Sequence, residues 1–264
     1  MNHNTRWIDI GVNLSNKQFK DQQSNVLEDA QNNGVSTIII TGTDLQESRN
    51  AIALAKQHSQ YATAGIHPHD AKENCDEVFN EICQLSTEDC VVAIGETGLD
   101  FNRNFSTPED QCNSFLKHIE LAKQSQKPMF LHERDAGETM HKMLSEHRDQ
   151  LSNAVIHCFT GSREDLMRYL DLDLYIGITG WVCDERRGHH LHELLELIPQ
   201  DRLMLETDAP YLLPRTLAPK PKSRRNEPKY LPHIGEYIAE ILGKPVEVLS
   251  AQTTENCKRF FNID

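Results

Sequence analysis

Glu96, His132, His157 and Asp208 are side chains that bind divalent cations, and each closes a short β-like run in this 264-residue chain. They lie too far apart in sequence to form a local motif. They make sense together if their strands lie side by side and open their ends into one pocket. Imidazole and carboxylate suit a borderline cation such as Zn2+ or Mn2+, and a carboxylate-rich site with open water positions holds Mg2+. Such a cation acidifies water and polarises the group under attack. Asp208 is the natural acceptor of the water proton, as a ligand or just outside the ligand set. Glu96 can bridge two cations where two bind. A lone core histidine is more often structural than ligating; the shared placement at strand ends favours the ligand reading here. The set predicts a metal-dependent hydrolase holding one or two ions. The first run departs from the pattern, closing on Gly11 and Asn13, so one side of the site is poor in ligands. Asp9 shares their face by alternation and is a secondary ligand candidate.

Other polar groups cluster in the same loops. GETGLDFNR adds Asp100 and Arg103 after the fourth strand, with Gly98 read as a tight turn. Arg103 either contacts phosphate or pairs with Asp100. GIHPHD carries His67 and His69 around Pro68, which restricts the turn so that at most one of the two imidazoles serves the pocket as a phosphate contact or acid. GITGWVCDERRG offers Trp181 to stack on a base, with Arg187 among mixed charges; a core tryptophan under surface charge is the competing reading. Between Tyr211 and Tyr230 lie six basic residues against Glu227 alone. Arg224 and Arg225 are the phosphate-binding candidates there, and Glu227 braces one of the basic groups.

The elements that must position these groups are legible as runs. Strand-like segments fall at 6–12, 35–41, 61–66, 90–96, 127–132, 154–158, 174–178 and 203–207. Several are short and nearly continuously apolar, as in strands buried on both faces of a parallel sheet. Helical segments fall between and after them at 21–33, 45–59, 73–85, 109–125, 137–148, 162–170, 189–197 and 231–242. Thr107-Pro108-Glu109-Asp110 supplies a cap, a first-turn proline and dipole-matched acids, Ser162 to Asp165 a similar opening, and Asn33-Gly34 a stop. Eight βα units in about 250 residues match an α/β (β/α)8 TIM barrel, whose active groups come from the carboxyl ends of the strands. An open doubly wound sheet would carry a phosphate-binding glycine fingerprint after its first strand, and Gly11-Val12-Asn13 is none. No linker divides the chain, so residues 1–264 read as one domain.

Composition narrows the setting. Seven cysteines, with no CxxC pair, argue against a disulfide framework or a thiolate zinc site and fit a reducing compartment. Cys158 fails as a nucleophile because alternation turns it away from His157. No apolar run approaches the roughly 20 residues that span a bilayer, and the polar N-terminal segment has no secretory pattern. A cytoplasmic monomer without membrane contact is the expectation. The net charge of −13 disfavours long-range attraction to a polyanion, so any nucleic-acid contact falls to the local basic loops.

Taken in order, DIGVNL at 9–14, GIHPH at 65–69, GETGLDFNR at 95–103, FLHERDA at 130–136, VIHCFTG at 155–161, YIGITGWVCDERRG at 175–188, ETDAPYLLPR at 206–215 and RRNEP at 224–228 resemble the TatD family of metal-dependent deoxyribonucleases, within the amidohydrolase superfamily. The resemblance covers essentially the whole chain. It implies a TIM-barrel hydrolase favouring 3′→5′ exonucleolytic cleavage of single-stranded DNA, with RNA as a further substrate, using Mg2+ or another divalent ion. By motif position it makes Glu96 the bridging carboxylate, His132 and His157 second-site histidines, Asp208 the aspartate near the water, and His67 a substrate-pocket histidine. It also implies roles in DNA repair and in handling DNA fragments. The departure is at strand one, where many relatives carry His-x-His and this chain reads Gly11-Val12-Asn13. That predicts one tight cation at Glu96, His132 and His157 and a weak second one.

The leading expectation is therefore a metal-dependent nuclease of single-stranded ends. A hydrolase of a small amide, lactone or phosphoester is the alternative that the negative charge favours. A non-enzymatic barrel retaining one structural metal is a third reading, weakened because buried polar ligands are costly to keep for binding alone.

Overall fold

The computed structural model describes residues 5–264, so Met1–Asn4 of the polar N-terminal segment lie outside the described residues. Strands and helices alternate throughout: β1 Trp7–Val12, α1 Gln23–Asn32, β2 Val35–Ile40, α2 Leu45–His58, β3 Tyr61–Ala64, α3 Asp76–Leu85, β4 Val91–Asp100, α4 Pro108–Ser125, β5 Met129–Arg134, α5 Gly137–His147, β6 Ala154–Ile156, α6 Arg163–Asp171, β7 Tyr175–Ile178, α7 His190–Leu195, β8 Leu203–Leu205, α8 Leu231–Ile241 and α9 Val246–Phe261. The strands form one eight-stranded sheet in sequence order. The pairings β3–β4, β4–β5, β5–β6 and β7–β8 are parallel. Beyond β8 the chain returns to β1: Val12 bridges Ala209 in parallel, and Asp208 N–H donates to Gly11 O at 2.9 Å. Sequential parallel strands whose first and last members are bridged define the (β/α)8 class.

Local chemistry explains the boundaries. Thr107 caps α4 by accepting from Asp110 N–H, with Pro108 in its first turn. Ser162 and Asp165 form a reciprocal capping box at the start of α6. All residues of β1 and of β4 are buried, including Asp9, Glu96 and Asp100.

The chain forms two compact units, one combining residues up to Ile39 with Ile176–Asp264 and the other spanning Ile40–Tyr175. In the first, α8 and α9 pack on β1, with Trp7, Ile10, Leu203, Ile234, Ile238 and Phe260 buried. In the second, α4 packs on β4, burying Ile94, Phe115, Ile119, Phe130 and Leu131.

Several boundaries differ from expectation. Glu96 does not close its strand, because β4 continues through GETGLD to Asp100. Gly98, read as a tight turn, instead pairs with His132 inside the strand, and a bulge lies just before it: Ile94 pairs with Met129 and Thr97 with Leu131, three residues of β4 advancing against two of β5. Likewise β5 runs past His132 to Arg134, whereas β8 stops at Leu205, three residues before Asp208. Helix α9 follows a segment with no strand of its own and escapes the βα rhythm. None of the seven cysteines is in a disulfide.

Candidate metal and active site

The second unit gathers four imidazoles around two carboxylates. His67 Nε2, His132 Nδ1 and His157 Nε2 stand 3.3, 3.1 and 2.8 Å from a single atom, Glu96 Oε1. Asp100 Oδ2 takes a hydrogen bond from His69 Nε2 at 2.7 Å and lies 3.5 Å from His132 Nε2. The bulge in β4 is what aims Glu96 at this centre. Gly95, at φ 145°, and Gly98, at φ 140°, are required there: an added Cβ would come within 2.2 Å of Phe130 O and 2.0 Å of His132 O. Glu96 N–H donates to Gly42 O at 2.7 Å, anchoring the bulge. His157 leaves β6 with its N–H on Leu131 O at 2.9 Å, and its ring lies against Phe130 with centroids 4.6 Å apart.

The electrostatics favour a cation. Burial opposes ionisation of Glu96, but His157 and His67 alongside it, and hydrogen bonds from His132 and His157, hold its carboxyl well below the usual range. Burial opposes Asp100 too, yet the imidazoles of His132 and His69 and the Arg103 N–H hold it low. Burial alone would push His132 down, but Asp100 and Glu96 at its two nitrogens raise it. His67 is pushed by burial to about 4, against the pull of Glu96. Its Nδ1 accepts the His69 N–H at 3.1 Å, so the proton of the neutral ring sits on Nε2, facing Glu96. Glu96 and Asp100, both buried, are the negative groups that a cation would offset.

These residues fit a divalent ion. Donor atoms of His67, Glu96 and His132 lie within 4.8 Å of one another. Ligands around a tetrahedral ion with bonds near 2.1 Å stand about 3.4 Å apart, close to the nitrogen–oxygen separations at Glu96. His132 Nε2 is buried without a hydrogen bond, a polar atom left available on the Asp100 side. The set is imidazole and carboxylate with no thiolate, the chemistry of a hydrolytic rather than a structural ion.

The first unit holds the other expected residues. Asp208, at φ 54°, accepts a hydrogen bond on Oδ1 from Asn13 Nδ2 at 3.0 Å. Asn13 therefore turns its amide N–H to Asp208. Asp9 is not available as a ligand: it is fully buried, Oδ2 accepts from Thr207 Oγ1 at 2.6 Å, and Oδ1 accepts the Thr207 N–H at 2.9 Å. Trp181 is half-buried, with the Arg187 guanidinium 4.3 Å above its ring. Asp184 holds Arg187 at 2.9 Å, with Arg186 and Arg215 at 3.6 and 3.9 Å. Arg224 is exposed. Arg225, expected to meet substrate, has its guanidinium engaged within its surroundings: Nη2 donates to Glu227 at 2.7 Å and Nη1 to Gln18 O and Gln22. Glu227 also pairs with Lys229 at 2.7 Å.

In the second unit, Arg103 is exposed; its backbone N–H donates to Asp100 Oδ1 at 2.8 Å, and its side chain makes no salt bridge among the described residues. Sequence reasoning missed the part played by Asp100, placing it in a loop. Alternation along a continued β4 would have put residues 96, 98 and 100 on one face. It also missed Gln111, whose amide brackets the Asp100 backbone with bonds of 2.7 and 3.1 Å. A helix-interior glutamine carries no signal for that.

A parallel barrel with imidazoles and a carboxylate gathered at its strands is the architecture of a barrel metallohydrolase. The chain belongs to the TatD-related DNase family, whose model matches residues 8–262. It is 52% identical over 97% of its length to the 3′-5′ ssDNA/RNA exonuclease TatD of Pectobacterium carotovorum, covering 99% of that protein. It is 50% identical to the protein of the same name from Escherichia coli, again over 97% of this chain and 99% of the relative. Among solved structures, a TatD homolog from Escherichia coli superposes with a TM-score of 0.90 at 26% identity, covering 98% of this chain and 99% of that one. A TatD family hydrolase from Entamoeba histolytica gives 0.88 at 27%, covering 97% of this chain and 98% of the other.

Proposed function

We propose that this protein is a 3′→5′ exonuclease of single-stranded DNA and RNA that works with Mg2+, with Mn2+ and Zn2+ as substitutes. The observation that carries the reading is the convergence of three imidazole nitrogens on Glu96 Oε1 at 2.8–3.3 Å. The names of the relatives that are half identical over nearly the full chain supply the substrate and polarity. Glu96, His132 and His157 are the proposed ligands of one tight ion. Asn13, which presents N–H to Asp208 where a second ion would want an acceptor, supports a weak second position. Bound there, a divalent ion acidifies water and polarises the phosphoryl group.

The protein groups do the rest. Asp208 accepts the proton of the attacking water, oriented by the Asn13 amide. His67, neutral with its proton on Nε2, donates to a phosphoryl oxygen as negative charge develops there. Arg103, Arg187 and Arg224 contact backbone phosphates, and Arg225 shapes the loop that carries Arg224. Trp181 takes a terminal base by stacking, an interaction open to every base and so blind to sequence. The proposed setting is a cytoplasmic monomer of one domain, residues 1–264, trimming the ends of DNA fragments during repair.

The test is a 5′-labelled single-stranded oligonucleotide incubated with protein stripped by EDTA and then resupplied with Mg2+. The proposal expects a ladder shortening from the 3′ end only after Mg2+ is returned. Release of the labelled 5′ nucleotide first, or small-ester hydrolysis with no cleavage of DNA or RNA, would contradict it.

A further inference from the structure

The register of β4 against β5 places His132 between two acids. Gly98 is the direct partner of His132, so Glu96 and Asp100 flank that position by two residues on either side and share its face. With no side chain at 98, the imidazole occupies the gap, turning Nδ1 to Glu96 Oε1 at 3.1 Å and Nε2 to Asp100 Oδ2 at 3.5 Å. The first contact belongs to the ligand cluster. The second does not: His132 Nε2 is buried and lacks a hydrogen bond, and Asp100 is the carboxylate it faces.

Asp100 is itself held too firmly to be a loop acid. Its backbone is clasped by Gln111, whose Oε1 accepts the Asp100 N–H and whose Nε2 donates to the Asp100 carbonyl and to Ser106 O. Its Oδ1 is occupied by the N–H groups of Asn102 and Arg103 at 3.1 and 2.8 Å. Only Oδ2 faces the imidazoles, and His69 braces it from the far side at 2.7 Å. Buried, and with Oδ1 already taken by two backbone N–H groups, Asp100 is arranged to receive an N–H from His132 on Oδ2.

We propose that Asp100 is a positioning residue, which fixes His132 as the Nε2–H tautomer and thereby directs the Nδ1 lone pair to the ion beside Glu96. The inference rests on the metal site of the proposed function. A ligating histidine whose second nitrogen bonds a carboxylate gains both orientation and basicity, and loss of such a partner costs about 10- to 100-fold in metal affinity. His69 shares Oδ2, so it limits how far the carboxylate can follow the ring. Asp100 acts through His132 and does not itself touch substrate.

The test uses the full-length protein and Zn2+ alone, titrated calorimetrically, with the ring nitrogens of His132 followed by 15N NMR in the loaded protein. Asp100→Asn keeps an oxygen for the Asn102 and Arg103 N–H groups while removing the charge. It is expected to bind Zn2+ about 10- to 100-fold more weakly with an unchanged melting temperature. Asp100→Glu, which restores the charge, is expected to recover part of the affinity. In the wild type, the His132 proton is expected on Nε2. Wild-type affinity in Asp100→Asn, or a loaded wild type with its His132 proton on Nδ1, would overturn the inference while leaving the metal site standing. Should Asp100→Asn fail to fold, the wild-type tautomer decides alone. A wild type that binds no Zn2+ would overturn both this inference and the metal reading beneath it.

Discussion

At the scale of single residues, the proposal divides labour between ligands and a base. His132 supplies one of the nitrogens at Glu96 Oε1, and it is 23% exposed, so truncation leaves a gap that water can fill. Asp208 is half-buried and bonded to Asn13. We expect Asp208→Ala to lower kcat by about 10²- to 10⁴-fold, the usual span for a lost general base, with metal affinity less affected. His132→Ala should lose metal affinity as well as rate. Both are checked by single-turnover cleavage beside metal titration and thermal melts. Full activity in either folded variant would remove that residue from its assigned role. That Glu96, His132 and His157 come together was legible in the sequence because histidine and acid in or just after short apolar runs are chemically specific. The Asp100 contacts were not, because they depend on a bulge that no residue type announces.

At the scale of elements, two features of the second unit position the site. One is the close approach of β4 to β5, where a Cβ at Gly98 would meet His132 O at 2.0 Å. Gly98→Ala should cost about 3 kcal/mol or more through overpacking and backbone strain, read as a lower urea midpoint; an unchanged midpoint would refute the packing argument. The other is His118 on α4, fully buried, with its Nδ1 donating to Ser114 O at 2.7 Å and its Nε2 accepting the Ile66 N–H at 3.1 Å. It thus tethers the turn that carries His67. Burial pushes His118 to about 4. The unfolded chain takes up that proton near pH 6.5, so between pH 6.5 and 4 it binds more protons than the folded one. Stability present above pH 6.5 is therefore lost as pH falls through this window, by about 1.4 kcal/mol per pH unit for each such group. His67, also near 4, adds to the slope. Denaturant unfolding from pH 7 to 4 should show this loss, and His118→Gln should make it shallower. An equal slope in the variant would contradict the assignment. The rhythm of strands and helices was legible from apolar runs and capping residues. Strand ends were not, since glycine reads as a breaker whether it turns the chain or seats a bulge, and α9 has no partner strand to announce it.

At the scale of the whole molecule, a chain of net charge −13 must bind a polyanion through local basic groups. Exposed Arg224 and the Arg187 stacked on Trp181 are candidates for that contact. Each neutralised phosphate of a single strand contributes about −0.7 to the slope of log affinity against log salt, so Arg224→Ala should make the slope shallower by about that amount, measured by fluorescence anisotropy at several salt concentrations. An unchanged slope would place Arg224 off the substrate path. The fold class was legible because eight βα units fill the length, and the family because its motifs recur in order at 9–14 through 224–228. The most direct test of the central claim is a crystal structure with Mn2+ and a short single-stranded oligonucleotide, read by anomalous scattering. The account predicts a Mn2+ peak bonded to Glu96, His132 Nδ1 and His157 Nε2, with the 3′-terminal phosphodiester against it. A peak away from these atoms, or a 5′ end at the metal, would contradict it.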